Sequence, residues 1–92
     1  MLFMVIETFR AGTALEVYRR FHEKGRLMPE GLHYQASWVE ADLGRCFQLM
    51  ECADVRLLQQ WVAQWQDLID FEIVAVTASK DASEALTPLL AT

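Results

Sequence analysis

Apolar residues fill both alternating sets of the run Leu2 to Thr8, with Leu2, Met4 and Ile6 on one set and Phe3 and Val5 on the other. A run this short and apolar on both sides predicts a central strand covered on both faces. The period then changes. Ala14, Val17, Tyr18 and Phe21 recur at helical spacing behind Thr13 and Glu16, whose T-x-x-E spacing predicts a capping box at the helix start. The helix is expected to stop near Gly25, where a basic link, Gly25 to Gly31 (GRLMPEG), leads into the next extended run.

Leu32 to Glu40 and Arg45 to Cys52 flank Ala41-Asp42-Leu43-Gly44, whose Asp and Gly supply turn chemistry, so the two runs read as a hairpin. With Glu40 facing Arg45, one face carries the pairs Trp38/Phe47, Ala36/Leu49 and Tyr34/Glu51. The other carries Val39/Cys46, Ser37/Gln48, Gln35/Met50 and His33/Cys52. Asp54 is expected to cap a second helix with Leu58, Trp61, Val62 and Trp65 on one stripe, and Phe71 to Thr77 supplies a fourth strand. From Ser79 onward the chain reads as a polar tail, with a short helix through Ala82, Leu86 and Leu90 ended or kinked by Pro88.

The order β-α-β-β-α-β is that of the ferredoxin-like α+β fold: a four-stranded antiparallel sheet ordered 4-1-3-2 with both helices on one face. Residues 1–78 are expected to form this domain and residues 79–92 the tail. Parity puts Leu2, Met4, Ile6, Tyr34, Ala36, Trp38, Phe47, Leu49, Phe71, Ile73 and Ala75 on the helix side. It leaves Phe3, Val5, Glu7, His33, Gln35, Ser37, Cys46, Gln48, Met50, Glu72, Val74 and Val76 on an open face. Half of that face is apolar, a large patch for a monomer, so a homodimer through it is expected, enclosing a small pocket between the two sheets.

Composition narrows the function classes. The chain has 92 residues, 53% of them apolar, and its 8 basic against 13 acidic side chains give a net charge of −5. That is enough for one core and too apolar for disorder, and the acidic balance argues against a nucleic-acid or membrane-surface partner. No apolar run nears the roughly 18 residues of a membrane span, and no basic region precedes the apolar start, so a cytoplasmic protein is expected. Cys46 and Cys52 fall in one strand about 20 Å apart, far beyond the roughly 7 Å that a disulfide tolerates. They are expected to be reduced thiols. Gly-rich phosphate loops, H-E-x-x-H, Ser/His/Asp order and CxxC repeats are all missing, so the sequence implies neither a metal nor another cofactor.

The runs MLFMVIE (1–7), MPEGL (28–32), SWVE (37–40), RCFQLME (45–51) and LIDFEI (68–73) resemble a family of short bacterial proteins classed as a domain of unknown function. The resemblance extends over residues 1–77. In layout it is similar to the dimeric α/β-barrel superfamily, whose members pack two ferredoxin-like sheets face to face. That superfamily includes cofactor-independent antibiotic-biosynthesis monooxygenases, haem-dependent chlorite dismutases, muconolactone isomerases and stress-responsive proteins. Such diversity implies a fold and a dimer but no reaction, and no catalytic residue is carried over.

Several residues suggest chemistry, each with a plainer competitor. Glu7, late in its strand, and Glu72, early in the antiparallel neighbour, are expected at one end of the open face. There a shared proton between two crowded carboxylates would suit acid–base work; the plainer reading puts both at the rim, reaching water, Arg10 or Arg45. Ser37 and Gln48, near that end, would orient a polar ligand. His33, at the other end near Phe3 and Met50, is a proton-shuttle or haem-ligand candidate, or a partly buried histidine with one satisfied nitrogen. Trp38, Trp61 and Trp65 read as core packing ahead of an aromatic cage. Arg19, Arg20, Lys24 and Arg26 read as helix-dipole partners ahead of an anion grip. The sequence thus predicts a dimer binding a small, partly apolar molecule, lined by Phe3, Val5, Gln35, Ser37, Gln48 and Met50, or a purely structural dimer. The alternative is a cofactor-independent oxygenase or isomerase with Glu7, Glu72 or His33 as proton carrier.

Overall fold

The computed structural model describes residues 1–91. Its elements are β1 (Leu2–Phe9), α1 (Ala14–Lys24), β2 (His33–Val39), β3 (Arg45–Glu51), α2 (Arg56–Ala63), β4 (Ile69–Val76) and α3 (Ser79–Leu90). The strands form one antiparallel sheet in the order β2-β3-β1-β4, the ferredoxin-like arrangement that the pattern predicts. Val17 of α1 and Leu58 and Trp61 of α2 share one core with Phe3, Val5, Phe9, Met50 and Ile69. Full burial of side chains of this size stabilises by about 1.5–3 kcal/mol each.

The two helices therefore cover the sheet face that carries Phe3, Val5 and Glu7, which were expected on the open face; the β4 residues lie as expected, Phe71, Ile73 and Ala75 covered and Glu72, Val74 and Val76 not, so β4 pairs with β1 one residue out of the expected register. Cys46, Gln48 and Met50 oppose Glu7, Val5 and Phe3 on β3, and Phe71, Ile73 and Ala75 oppose the same three on β4. The other face presents Leu2, Met4, Ile6, Trp38, Phe47, Leu49, Val74 and Val76. The cause is charge. In this register Thr8 lies opposite Arg45 and Asp70, Leu2 opposite Glu51, and Ile6 opposite Glu72. One face thus carries four charged groups and the other only Glu7. Burying one carboxyl costs less than burying four charges, so the helices sit over Glu7.

The hairpin keeps its expected register from Val39/Cys46 to Ala36/Leu49, closed by a bidentate Arg45–Glu40 pair at 2.8 and 2.9 Å. A bulge at Gln35 then shifts it. Tyr34 pairs with Met50 and His33 with Glu51, instead of Glu51 and Cys52. The extra residue sets Tyr34 and Ser37 on one face, and their hydroxyls share a hydrogen bond of 2.8 Å.

Helix starts differ in part from expectation. Asp54 accepts the Arg56 N–H at 2.9 Å and opens α2. The Thr13–Glu16 capping box does not form, because Thr13 Oγ1 turns to the carbonyls of Arg10 (2.7 Å) and Leu68 (3.1 Å), while Glu16 pairs with Arg19. Helix α2 ends at Ala63, so Trp65 stands in the following turn, still buried, and β4 begins at Ile69, two residues before the expected strand.

The tail is the helix α3, which continues through Pro88 and buries no residue; Thr92, its expected last residue, lies outside the described residues. The radius of gyration, 15.8 Å, exceeds the about 12 Å of a compact chain of this length, and the longest dimension is 54 Å. Helix α3 stands off as an arm. Among the described residues no helix is long and apolar enough to cross a membrane.

Candidate functional site

Between the covered sheet face and the helices lies a cavity of about 160 Å³. Its floor is Glu7, Cys46 and Gln48, side by side on β1 and β3, with Ser37 and Val39 from β2. Val17, Tyr18 and Phe21 of α1 form one wall, Trp61 and Trp65 another, and Phe9, Ile69 and Arg26 complete the lining. The walls are apolar and the floor is polar.

Glu7 is the one buried charged residue among the described residues, with 4% of its surface exposed. Gln48 Nε2 donates to its carboxylate. Burial pushes the Glu7 carboxyl up from 4.5 to about 7; the Gln48 N–H, the charge of Arg26 and the Cys46 thiol pull the other way and lose. The same burial, aided by the Glu7 charge, drives the Cys46 thiol up to about 12, so it remains protonated and serves as a donor. Near neutral pH the floor therefore holds a carboxyl that can give or take a proton beside a thiol that does neither. The amide that serves Glu7 leaves Gln48 Oε1 buried with no hydrogen-bond partner.

Arg26 is set over the cavity by its backbone. Its carbonyl accepts both indole N–H groups, Trp61 Nε1 at 3.0 Å and Trp65 Nε1 at 2.9 Å. The flanking Gly25 (φ 69°) and Leu27 (φ 61°) both lie in the left-handed region, so the chain turns sharply on either side of it. The guanidinium lies 3.7 Å from the Tyr34 ring centroid and 5.1 Å from that of Phe21.

The expected site residues divide into three groups. Glu7, Ser37 and Gln48 meet in this cavity, within one subunit beneath its helices. Phe3, Val5 and Met50 face the same side but pack into the solid core. Gln35, His33 and Glu72 lie outside it: Glu72 is exposed on the opposite face, because its partner in β1 is Ile6 and Glu7 faces Phe71 instead. The shared-proton pair of Glu7 and Glu72 is therefore excluded. His33 is exposed beside Glu51, to which the bulged Gln35 donates at 3.4 Å. The sequence weighs Arg26 for an anion grip and the two tryptophans for an aromatic cage but favours helix-dipole and core roles for them, and it singles out neither Tyr18 nor Cys46 as a site residue. The basic link pointed to Arg26, but nothing local says that the indoles would anchor its carbonyl.

The family profile of a domain of unknown function, DUF3303, matches residues 1–90. The chain belongs to the DUF3303 family. Among solved structures, it is similar to the crystal structure of an uncharacterized NIPSNAP domain protein from Burkholderia xenovorans. That likeness has a TM-score of 0.53 at 14% identity and covers 86% of this chain and 97% of the other. At that identity the likeness concerns the fold alone. No curated protein matches the chain. The DUF3303 fold is thus established, while the cavity and its carboxyl are the guide to function.

Proposed function

We propose that the DUF3303 chain binds a small, partly apolar molecule in the cavity beneath its own helices, and that two copies pair through the uncovered sheet face. One observation carries the first part: a deeply buried carboxyl, Glu7, stands in an apolar-walled cavity beside an amide oxygen without a partner. Buried polar groups are normally satisfied, and a core built only for packing gains nothing from an orphan acceptor and a desolvated acid. Support for the second part is the apolar face of β1 to β4, where Trp38 is 55% and Val74 40% exposed. A face of that breadth is a self-association surface by default, and its charged ends leave the centre free for a twofold partner. Buried free thiols at Cys46 and Cys52 support a reducing, cytoplasmic setting.

Trp61 and Trp65 line the cavity, so their fluorescence reports on its occupancy. A panel of single-ring aromatic compounds titrated against the full chain should include members that change this emission saturably. No response from any member, or a response that persists when Val17→Trp fills the cavity, would refute the binding reading.

The near-neutral Glu7 favours a second reading, a cofactor-independent oxygenase or isomerase in which Glu7 moves a proton to or from carbon. It requires Glu7→Gln to bind the same compound while losing hydrogen exchange from the compound's acidic C–H positions into D₂O. Exchange at the same rate with and without protein would leave the binding reading alone.

A further inference from the structure

Helix α3 carries an apolar stripe that stays exposed in the single chain. Ala82, Ala85, Leu86 and Leu89 recur at i, i+3, i+4 and i+7, while Lys80, Glu84 and Thr87 take the opposite side. The helix is patterned for packing, yet none of its residues is buried, and Leu86 and Leu90 are 55% and 80% exposed. Its root shows where it points. Asp81, in the first turn, borders a notch with Leu2, Glu51 and Val76, all residues of the uncovered sheet side. Thr77 and the extended Ala78 (φ −56°, ψ 140°) link β4 to α3, and the helix stands off the end of the sheet on that side.

The uncovered sheet is small for a dimer interface by itself. Its strands have 8, 7, 7 and 8 residues. At about 3.4 Å per residue and about 4.8 Å between strands, the footprint is roughly 480 Å², or about 950 Å² for two copies. Specific pairs bury about 1,200–2,000 Å² in total. The 12 residues of α3 make an arm about 18 Å long and about 10 Å wide. Facing sheets lie about 10 Å apart, so the arm spans the gap. It reaches the other copy's sheet edges, where Trp38 and Val39 of β2 and Ile73 and Val74 of β4 are exposed. Each arm laid there hides about 180 Å² of itself and as much of its host, which raises the total to roughly 1,700 Å². Resting on the pairing proposed above, we infer that the two copies exchange arms, α3 of each packing its leucine stripe on an edge strand of the other.

The test uses the full chain and two substitutions on α3 that each add one negative charge, Leu86→Glu on the stripe and Thr87→Glu on the polar side. Neither position is buried, so the subunit fold is not at risk. Sedimentation equilibrium of these two and the parent gives three dimer dissociation constants. Leu86→Glu should weaken the dimer by at least about 10-fold, because a leucine leaves the interface in both arms. Thr87→Glu should change it by less than about 3-fold, as for an exposed site. A second measurement locates the arm: with benzoylphenylalanine at position 86, irradiation should give covalent dimers linked from α3 of one copy to residues 1–77 of the other. Equal constants for the parent and Leu86→Glu would overturn the exchange. So would an absence of links between chains, as from an arm closed over its own sheet or kept for a vesicle or an unrelated protein. Either result leaves the pairing intact, whereas a parent that is monomeric throughout removes the pairing and the exchange together.

Discussion

Glu7 makes stability depend on pH in a direction opposite to that of most carboxylates. Its carboxyl is raised from 4.5 to about 7 in the folded chain, chiefly by burial. Between those values the unfolded chain has released the proton and the folded chain still holds it, so stability falls as pH rises. The contribution is fully present below about pH 4.5, declines towards pH 7 and is lost above it. A shift of this size corresponds to roughly 3 kcal/mol, a large part of the roughly 5–15 kcal/mol that hold a domain together. Glu7→Gln keeps the shape and can still hydrogen-bond to Gln48, but carries no proton to lose. Urea melts followed by tryptophan emission, at one fixed protein concentration, should find variant and parent similar at pH 4.5. At pH 8.5 the variant should be more stable by roughly 2–3 kcal/mol. Two other titratable groups facing Glu7 do not interfere: Cys46, at about 12, and Tyr18, also raised, stay neutral over that range. His22 and His33 are common to both proteins and cancel in the difference. A difference between the two that stays constant from pH 4.5 to 8.5 would refute the claim that Glu7 is desolvated in the folded chain.

Further expectations concern the faces and ends of the molecule. Trp38→Lys places a charge at an exposed position of the uncovered sheet; sedimentation at micromolar concentration should shift from dimer to monomer with the far-ultraviolet spectrum unchanged, and a parent that sediments as a monomer would exclude the pairing. Removing residues 79–92 deletes a helix that buries nothing, so a monomeric background should lose less than about 1 kcal/mol, the scale of surface changes. A larger loss would mean that α3 packs against a subunit. Gly31 sits at φ 93°, where an added Cβ would lie 3.0 Å from Leu57 Cδ1, so Gly31→Ala should destabilise by about 1–2 kcal/mol in the same urea melts.

The order of elements was legible because each change of hydrophobic period coincided with a turn or cap signal, and the hairpin register because Glu40 and Arg45 flank a turn of recognisable chemistry. The register ran out at Gln35, since a bulge adds one residue without disturbing the apolar count on either side. The choice of covered face failed for a more instructive reason. β1 is apolar on both sets, so hydrophobicity alone does not orient it, and the deciding quantity is the number of charges that each choice would bury across all four strands. Counting Arg45, Glu51, Asp70 and Glu72 against Glu7 selects the observed face, and every one of these residues was readable in the sequence. The same count explains the site. Once the helices must cover the side with one carboxyl, that carboxyl has to be served from β3, and Gln48, opposite its neighbour Val5, does so at the expense of its own oxygen. Arg26 was legible only as one of four basic residues weighed for an anion grip, because its placement depends on two indole N–H groups some 35 and 39 residues away meeting one carbonyl, a relation with no local pattern. The fold therefore follows from periodicity and the location of Glu7 from charge. The second half of the candidate site exists only because a link ordinary in composition is pinned by tryptophans that would otherwise pass for core.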